Sequence, residues 1–205
     1  MAYTPGSEIR HSTSYRTFFA GYTEKKIPSP NGIGHKIQRV YTADYYRQQL
    51  SQKQVILLRI VYLLLHVGAA ACILSALSQH SDFQYAWYCI IAECLMLLSA
   101  VPLTATLLLY LISHRNLTIG EYHSTSKGIR RYSTIASALS LTNVLTVLIY
   151  LFLHGARPGV SDGKALLEFL AGSLLFFLIS RIEKKITYIT VANTAKKPEG
   201  GSELW

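Results

Sequence analysis

Four long apolar blocks constrain this chain more than any other feature. They run from about Val55 to Leu77, Tyr85 to Ile112, Tyr132 to His154 and Lys164 to Ile182. Each approaches the ~20 residues needed to cross a bilayer core of about 30 Å. Lipid offers backbone groups no hydrogen bonds, so each block is predicted to be a helix that satisfies its own. Of the 205 residues, 50% are hydrophobic and only 15% charged. That excludes a disordered chain, and it departs from soluble domains, where about a quarter of residues are charged. The expected fold class is an all-α membrane protein: a four-helix antiparallel transmembrane bundle with a small β-hairpin-containing N-terminal element. The second block is longer than the core requires. Pro102 inside it removes a backbone donor and marks the expected kink.

Charge orients the blocks. Of the 20 Lys and Arg residues, only Arg157 and Lys164 fall on the side of the two short loops, near 78–84 and 155–163. The rest flank the other ends, so the positive-inside rule predicts both termini in the cytoplasm of a multi-pass cell-membrane protein. Tyr85, Trp87 and Tyr88 on one side, with Tyr110 and Tyr132 on the other, suit the two headgroup zones. The sequon at Asn116 would then face the cytoplasm and stay unglycosylated. A net charge of +9 could suggest nucleic acid, but the cations cluster beside the apolar blocks, where anionic lipid is met, and no nucleic-acid motif accompanies them. The first fifty residues hold no apolar core of a signal peptide, so the first block is expected to act as its own insertion signal.

Three regions follow: 1–53, a cytoplasmic N-terminal region; 54–183, the four spans; and 184–205, a cytoplasmic tail. In the first, strand-like runs at Tyr15–Ile27 and Lys36–Tyr46 flank Asn31-Gly32, whose residues both tolerate positive φ. That is a strong hairpin signal. A lone hairpin is marginal in water, so it needs support. The β-branched segment from Lys185 to Val191 is read as a third strand, with continuation of the fourth helix as the competing reading. Thr118-Ile119-Gly120-Glu121 fits a capping box and predicts a short helix before the third span. Residues 198–203 read as a flexible end.

Polar groups inside a bilayer are costly and each requires a reading. His66, Glu93 and Asn143 lie about 16, 12 and 16 Å below the outer surface at 1.5 Å per residue, and Ser173 falls near the same layer. They are predicted to act as hydrogen bonds between helices. The alternative is a midplane site for a proton or cation. Arg59 is expected to snorkel to the headgroups, and Lys164 to pair with Glu168 four residues on. The small-xxx-small pairs Gly68/Cys72 and Ser133/Ser137 predict close helix contacts.

The sequence carries no GxSxG, HExxH, CxxC or P-loop pattern, and Cys72, Cys89 and Cys94 are scattered within apolar blocks. No catalytic residue, metal site or cofactor is therefore expected, and the chain is read as a non-enzyme. The predicted role is a structural or accessory membrane subunit, or a self-assembling scaffold, with a cytoplasmic docking element. Its partners would be membrane lipid and a protein partner or a second copy, not nucleic acid. The alternative role is a small proton- or cation-coupled transporter or channel using His66, Glu93 and Asn143.

Overall fold

A computed structural model of the chain describes residues 20–28, 35–79, 81–155 and 159–193. Four of its helices are long and apolar enough to cross a membrane. They are α1 (Gln52–Leu77), α2 (Trp87–Ile112), α4 (Gly128–Leu153) and α5 (Val160–Lys185). Each has 26 residues, about 39 Å of helix. A capping box starts α1: Gln54 N–H donates to Ser51 Oγ at 3.3 Å, and Ser51 N–H donates back to Gln54 Oε1 at 2.9 Å. The helix α2 runs unbroken through Pro102.

Cross-helix contacts fix the helix directions. Between α4 and α5, Thr134 meets Ser180, Ser137 meets Ser173 and Ser140 meets Phe169. Between α1 and α5, Tyr62 meets Glu183 and Ser75 meets Glu168. Between α1 and α2, Arg59 meets Leu111 and His66 meets Thr104. One number rises as the other falls in every set, so these neighbours are antiparallel. The helix α5 packs on both α1 and α4, α4 also packs on α2, and α1 meets α2 more thinly.

The helices bury an apolar core together with small polar residues, and they also expose many aliphatic side chains. Ser133, Ser140, Asn143 and Ser173 are buried, whereas Leu64, Leu98, Val101, Phe152 and Leu167 are exposed. Small and hydroxyl residues let helices approach, and aliphatic residues face outward, as lipid requires. Gly172 shows how close the approach is. A Cβ there would lie 3.0 Å from Ile73 Cγ1 and 3.5 Å from the Ala69 carbonyl oxygen.

The remaining elements are short. The strands β1 (Tyr22–Pro28) and β2 (His35–Tyr41) pair antiparallel from Tyr22↔Tyr41 to Pro28↔His35. The predicted hairpin strands therefore pair with each other. Its turn residues Asn31 and Gly32 lie outside the described residues. A second sheet has the order β4-β3-β5, from β3 (Tyr45–Gln48), β4 (Asn116–Leu117) and β5 (Tyr188–Val191).

Two strand expectations are corrected. The run Lys36–Tyr46 is divided between the two sheets. Gly21 causes the division: its carbonyl accepts Thr42 N–H at 2.8 Å and Ala43 N–H at 3.2 Å, which turns the chain at 42–44. Gly21 sits at φ +85°, and a Cβ there would lie 2.6 Å from Ala43 Cβ, so the bend needs glycine. The tail segment is likewise shared. The helix α5 continues through Lys185, and a strand starts only at Tyr188, in the second sheet rather than on the hairpin.

The predicted capping box closes. Thr118 N–H donates to Glu121 Oε2 at 2.8 Å, and Glu121 N–H donates to Thr118 Oγ1 at 3.3 Å. It begins α3 (Ile119–Tyr122), which passes through a π-helical turn, His123–Lys127, into α4. The chain forms two compact units. One is built from the described residues up to Arg47, from Arg115–Tyr122 and from the residues after Tyr188; the other holds the four long helices.

Candidate functional site

The most elaborate polar arrangement in the helical unit centres on Glu183, in the last turn of α5 and 4% exposed. Its Oε2 accepts the Tyr62 hydroxyl of α1 at 2.5 Å. Its Oε1 accepts the hydroxyl of Ser126, from the π-helical turn, and that of Tyr188 at 2.8 Å. Gln48 Nε2 donates to the Tyr188 oxygen at 2.9 Å and to the Tyr110 oxygen of α2 at 2.7 Å. Tyr62 and Tyr110 are themselves 5.7 Å apart between ring centres. One network thus joins α1, α2, α5, the turn that leads into α4, the last residue of β3 and the first residue of β5.

Hydroxyls hold this carboxylate, and each of the three donates toward it. Charge-assisted hydrogen bonds are the strong ones, and burial strengthens them further. Burial, and then the Glu183 charge, push the Tyr188 phenol far above its ordinary pKa, so it remains a donor. A cation lies one ring away: the Arg59 guanidinium sits 5.5 Å from the Tyr110 ring centre. Arg59 also donates to the Leu111 and Ser113 carbonyls at 3.0 and 2.6 Å. It therefore closes the C-terminal end of α2 rather than snorkelling, because that end offers carbonyls without intrahelical partners.

The residues predicted for the midplane are engaged separately. His66 Nε2 lies 3.0 Å from Thr104 Oγ1 on α2. Asn143 is buried and donates to the Ala92 carbonyl at 3.3 Å and the Leu139 carbonyl at 3.0 Å. Ser173 donates to the Ser137 carbonyl at 2.9 Å, and Ser137 donates back to the Ser173 carbonyl at 3.0 Å. Glu93 has one oxygen that is buried without a hydrogen-bond partner among the described residues. Each of the first three bridges one pair of helices, and among the described residues no hydrogen bond links them into one group. Lys164 pairs with Glu168 at 3.8 Å, and Glu168 also accepts the Ser75 hydroxyl at 2.7 Å.

The second unit is organised around Tyr41. Its hydroxyl donates to the Asp44 carbonyl at 2.8 Å and accepts Ile119 N–H at 3.1 Å. Its own carbonyl accepts Asn193 Nδ2 at 2.9 Å. Burial raises the Tyr41 phenol pKa. Tyr46 stacks on Tyr122 at 4.6 Å, and Arg47 donates to Asn116 Oδ1 at 2.7 Å. One tyrosine therefore ties together the N-terminal segment, the central loop and the tail. In the β1–β2 ribbon, each strand pairs along one edge only among the described residues.

Comparison with protein-family models, with curated proteins and with solved structures finds no match for this chain.

Sequence reasoning passed over Glu183, because Arg181, Lys184 and Lys185 make its surroundings read as a charged flank. A usable signal was present. Tyr62 places a hydroxyl inside the aliphatic run of α1, and a polar group so placed implies a partner. The role of Tyr41 has no comparable trace, since its contacts come from segments 78 and 152 residues away.

Proposed function

We propose that this chain is an accessory subunit of a membrane assembly. It spans the cell membrane four times with both termini in the cytoplasm, and it holds a protein partner by adding a strand of that partner to the β1–β2 ribbon. The observation that carries this reading is the ribbon itself: seven paired positions in a sheet that has two strands among the described residues, within a unit tied together at Tyr41. Strand addition draws its affinity from main-chain hydrogen bonds. The positive-inside bias supports the orientation. The test is amide exchange at 22–28 and 35–41 in the full chain, alone and with its co-purifying partner. Slowed exchange on binding supports strand addition. Unchanged exchange in the complex overturns it.

A second reading, proton- or cation-coupled transport, draws on the buried Glu93 oxygen without a partner. In reconstituted vesicles, Glu93→Gln would abolish pH-dependent flux. A change in thermal stability alone would leave the carboxyl a structural group.

A further inference from the structure

We infer that the groove between the first turns of α1 and the last turn of α5 binds one anionic phospholipid. The groove has a volume of about 560 Å³, within the range of small-molecule sites. Its inner wall is apolar: Leu57, Leu58 and Val61 from α1, with Ile182 and Ile186 from α5 and the residues beyond it. Its rim is polar, with Gln49, Gln54 and Lys185. From Gln54 to Val61 the groove follows seven residues of helix, about 10 Å along the axis.

This gradient matches an amphiphile. Leu57 is exposed on a helix apolar enough to cross a membrane, so its surroundings there are acyl chains. The rim lies where that helix meets polar sequence, the level of headgroups. The charge at the rim is positive: Lys185 lines it, and Lys184 precedes it in the basic last turn of α5. A basic pocket between membrane helices recognises anionic headgroups. An acyl chain along Leu57 and Val61 with a phosphate at Lys185 meets both halves of the surface. A peptide occupant would need backbone partners, and this apolar wall offers few.

The test uses the full chain in detergent, titrated with phosphatidylglycerol and phosphatidylcholine and read by native mass spectrometry and thermal unfolding. One lysine near a headgroup corresponds to about a fivefold preference. The wild-type chain should bind phosphatidylglycerol about fivefold more tightly than phosphatidylcholine. Lys185→Gln should bring the two to parity while leaving the unfolding temperature without lipid unchanged. Val61→Trp, which fills the groove, should weaken both lipids. Equal binding of the two lipids by the wild-type chain overturns the proposal. So does a preference that survives Lys185→Gln, or lipid binding that survives Val61→Trp. If the lipid-free chain dimerises and Val61→Trp abolishes the dimer instead, the groove belongs to a second copy and the proposal fails.

Discussion

The Glu183 carboxylate of α5 accepts the Tyr62 hydroxyl of α1 at 2.5 Å, both groups buried where the two helices converge. Two more hydroxyls reach the same carboxylate, from Ser126 and Tyr188. A buried acceptor shared by three donors makes these segments interdependent, because removing the acceptor strands every donor at once. Glu183→Gln replaces a charged acceptor with a neutral amide whose N–H groups oppose the hydroxyls. The expected loss is about 2–4 kcal/mol, and Tyr62→Phe should cost about 1–2 kcal/mol. Combined, the two should cost less than their sum, since they act on one network. Chemical unfolding in detergent measures this. Strict additivity would mean that the hydroxyls are not coupled through Glu183.

Arg59 closes the end of α2 through two separate carbonyls, those of Leu111 and Ser113. Lysine carries the charge but lacks the planar fork that reaches both. Arg59→Lys should therefore destabilise the chain nearly as much as Arg59→Met, by about 1–3 kcal/mol. Exchange at the amides of 110–114 should rise in both variants. If lysine restores full stability, charge rather than geometry is what Arg59 supplies.

Gly172 sets the distance between α1 and α5. Gly172→Leu should force the helices apart and lower the unfolding temperature. Gly172→Ala should cost less, because its Cβ meets Ile73 Cγ1 at 3.0 Å, and Ile73→Ala in the same chain should relieve that contact. Overpacking of this kind costs about 1–3 kcal/mol. No relief in the double variant would mean that Ile73 is not the limiting neighbour.

Gly21 holds the bend between the two sheets at a positive φ that side chains rarely adopt. Gly21→Val should loosen the unit organised by Tyr41, because strain of about 1–3 kcal/mol falls on a small set of contacts. Amides of 22–28 and 35–41 should exchange faster, while those of α1 to α5 keep their protection. Faster exchange throughout the chain would show that the two units unfold together.

The four long helices were legible because the length and polarity needed to cross a bilayer are properties of contiguous sequence. The helix ends differ from the expected ones by about a turn or less: α1, α4 and α5 start earlier, as at Val160 against Lys164, because polar flanks continue a helix without adding apolar signal, whereas α2 starts at Trp87 rather than Tyr85. The capping box at Thr118 was legible for the same reason: its partners lie three residues apart. The hairpin strands were visible through Asn31-Gly32 and alternating residues, but the break at 42–44 was not, because Gly21 causes it from the opposite strand. The Glu183 site lay furthest from view. Its members come from α1, α2, α5, the turn before α4, the end of β3 and the start of β5, and no local pattern connects them. Depth matching groups His66, Glu93, Asn143 and Ser173 in one layer, yet His66, Asn143 and Ser173 each bridge a different pair of helices. A shared depth leaves the facing direction open.

The most direct test compares the mass of the complex purified in mild detergent for the wild-type chain and for Gly21→Val, with thermal unfolding of both. The account predicts a stoichiometric partner on the wild-type chain and its loss from Gly21→Val, with the four-helix unit still folded. A partner retained in full by a Gly21→Val chain whose ribbon amides exchange freely would contradict it.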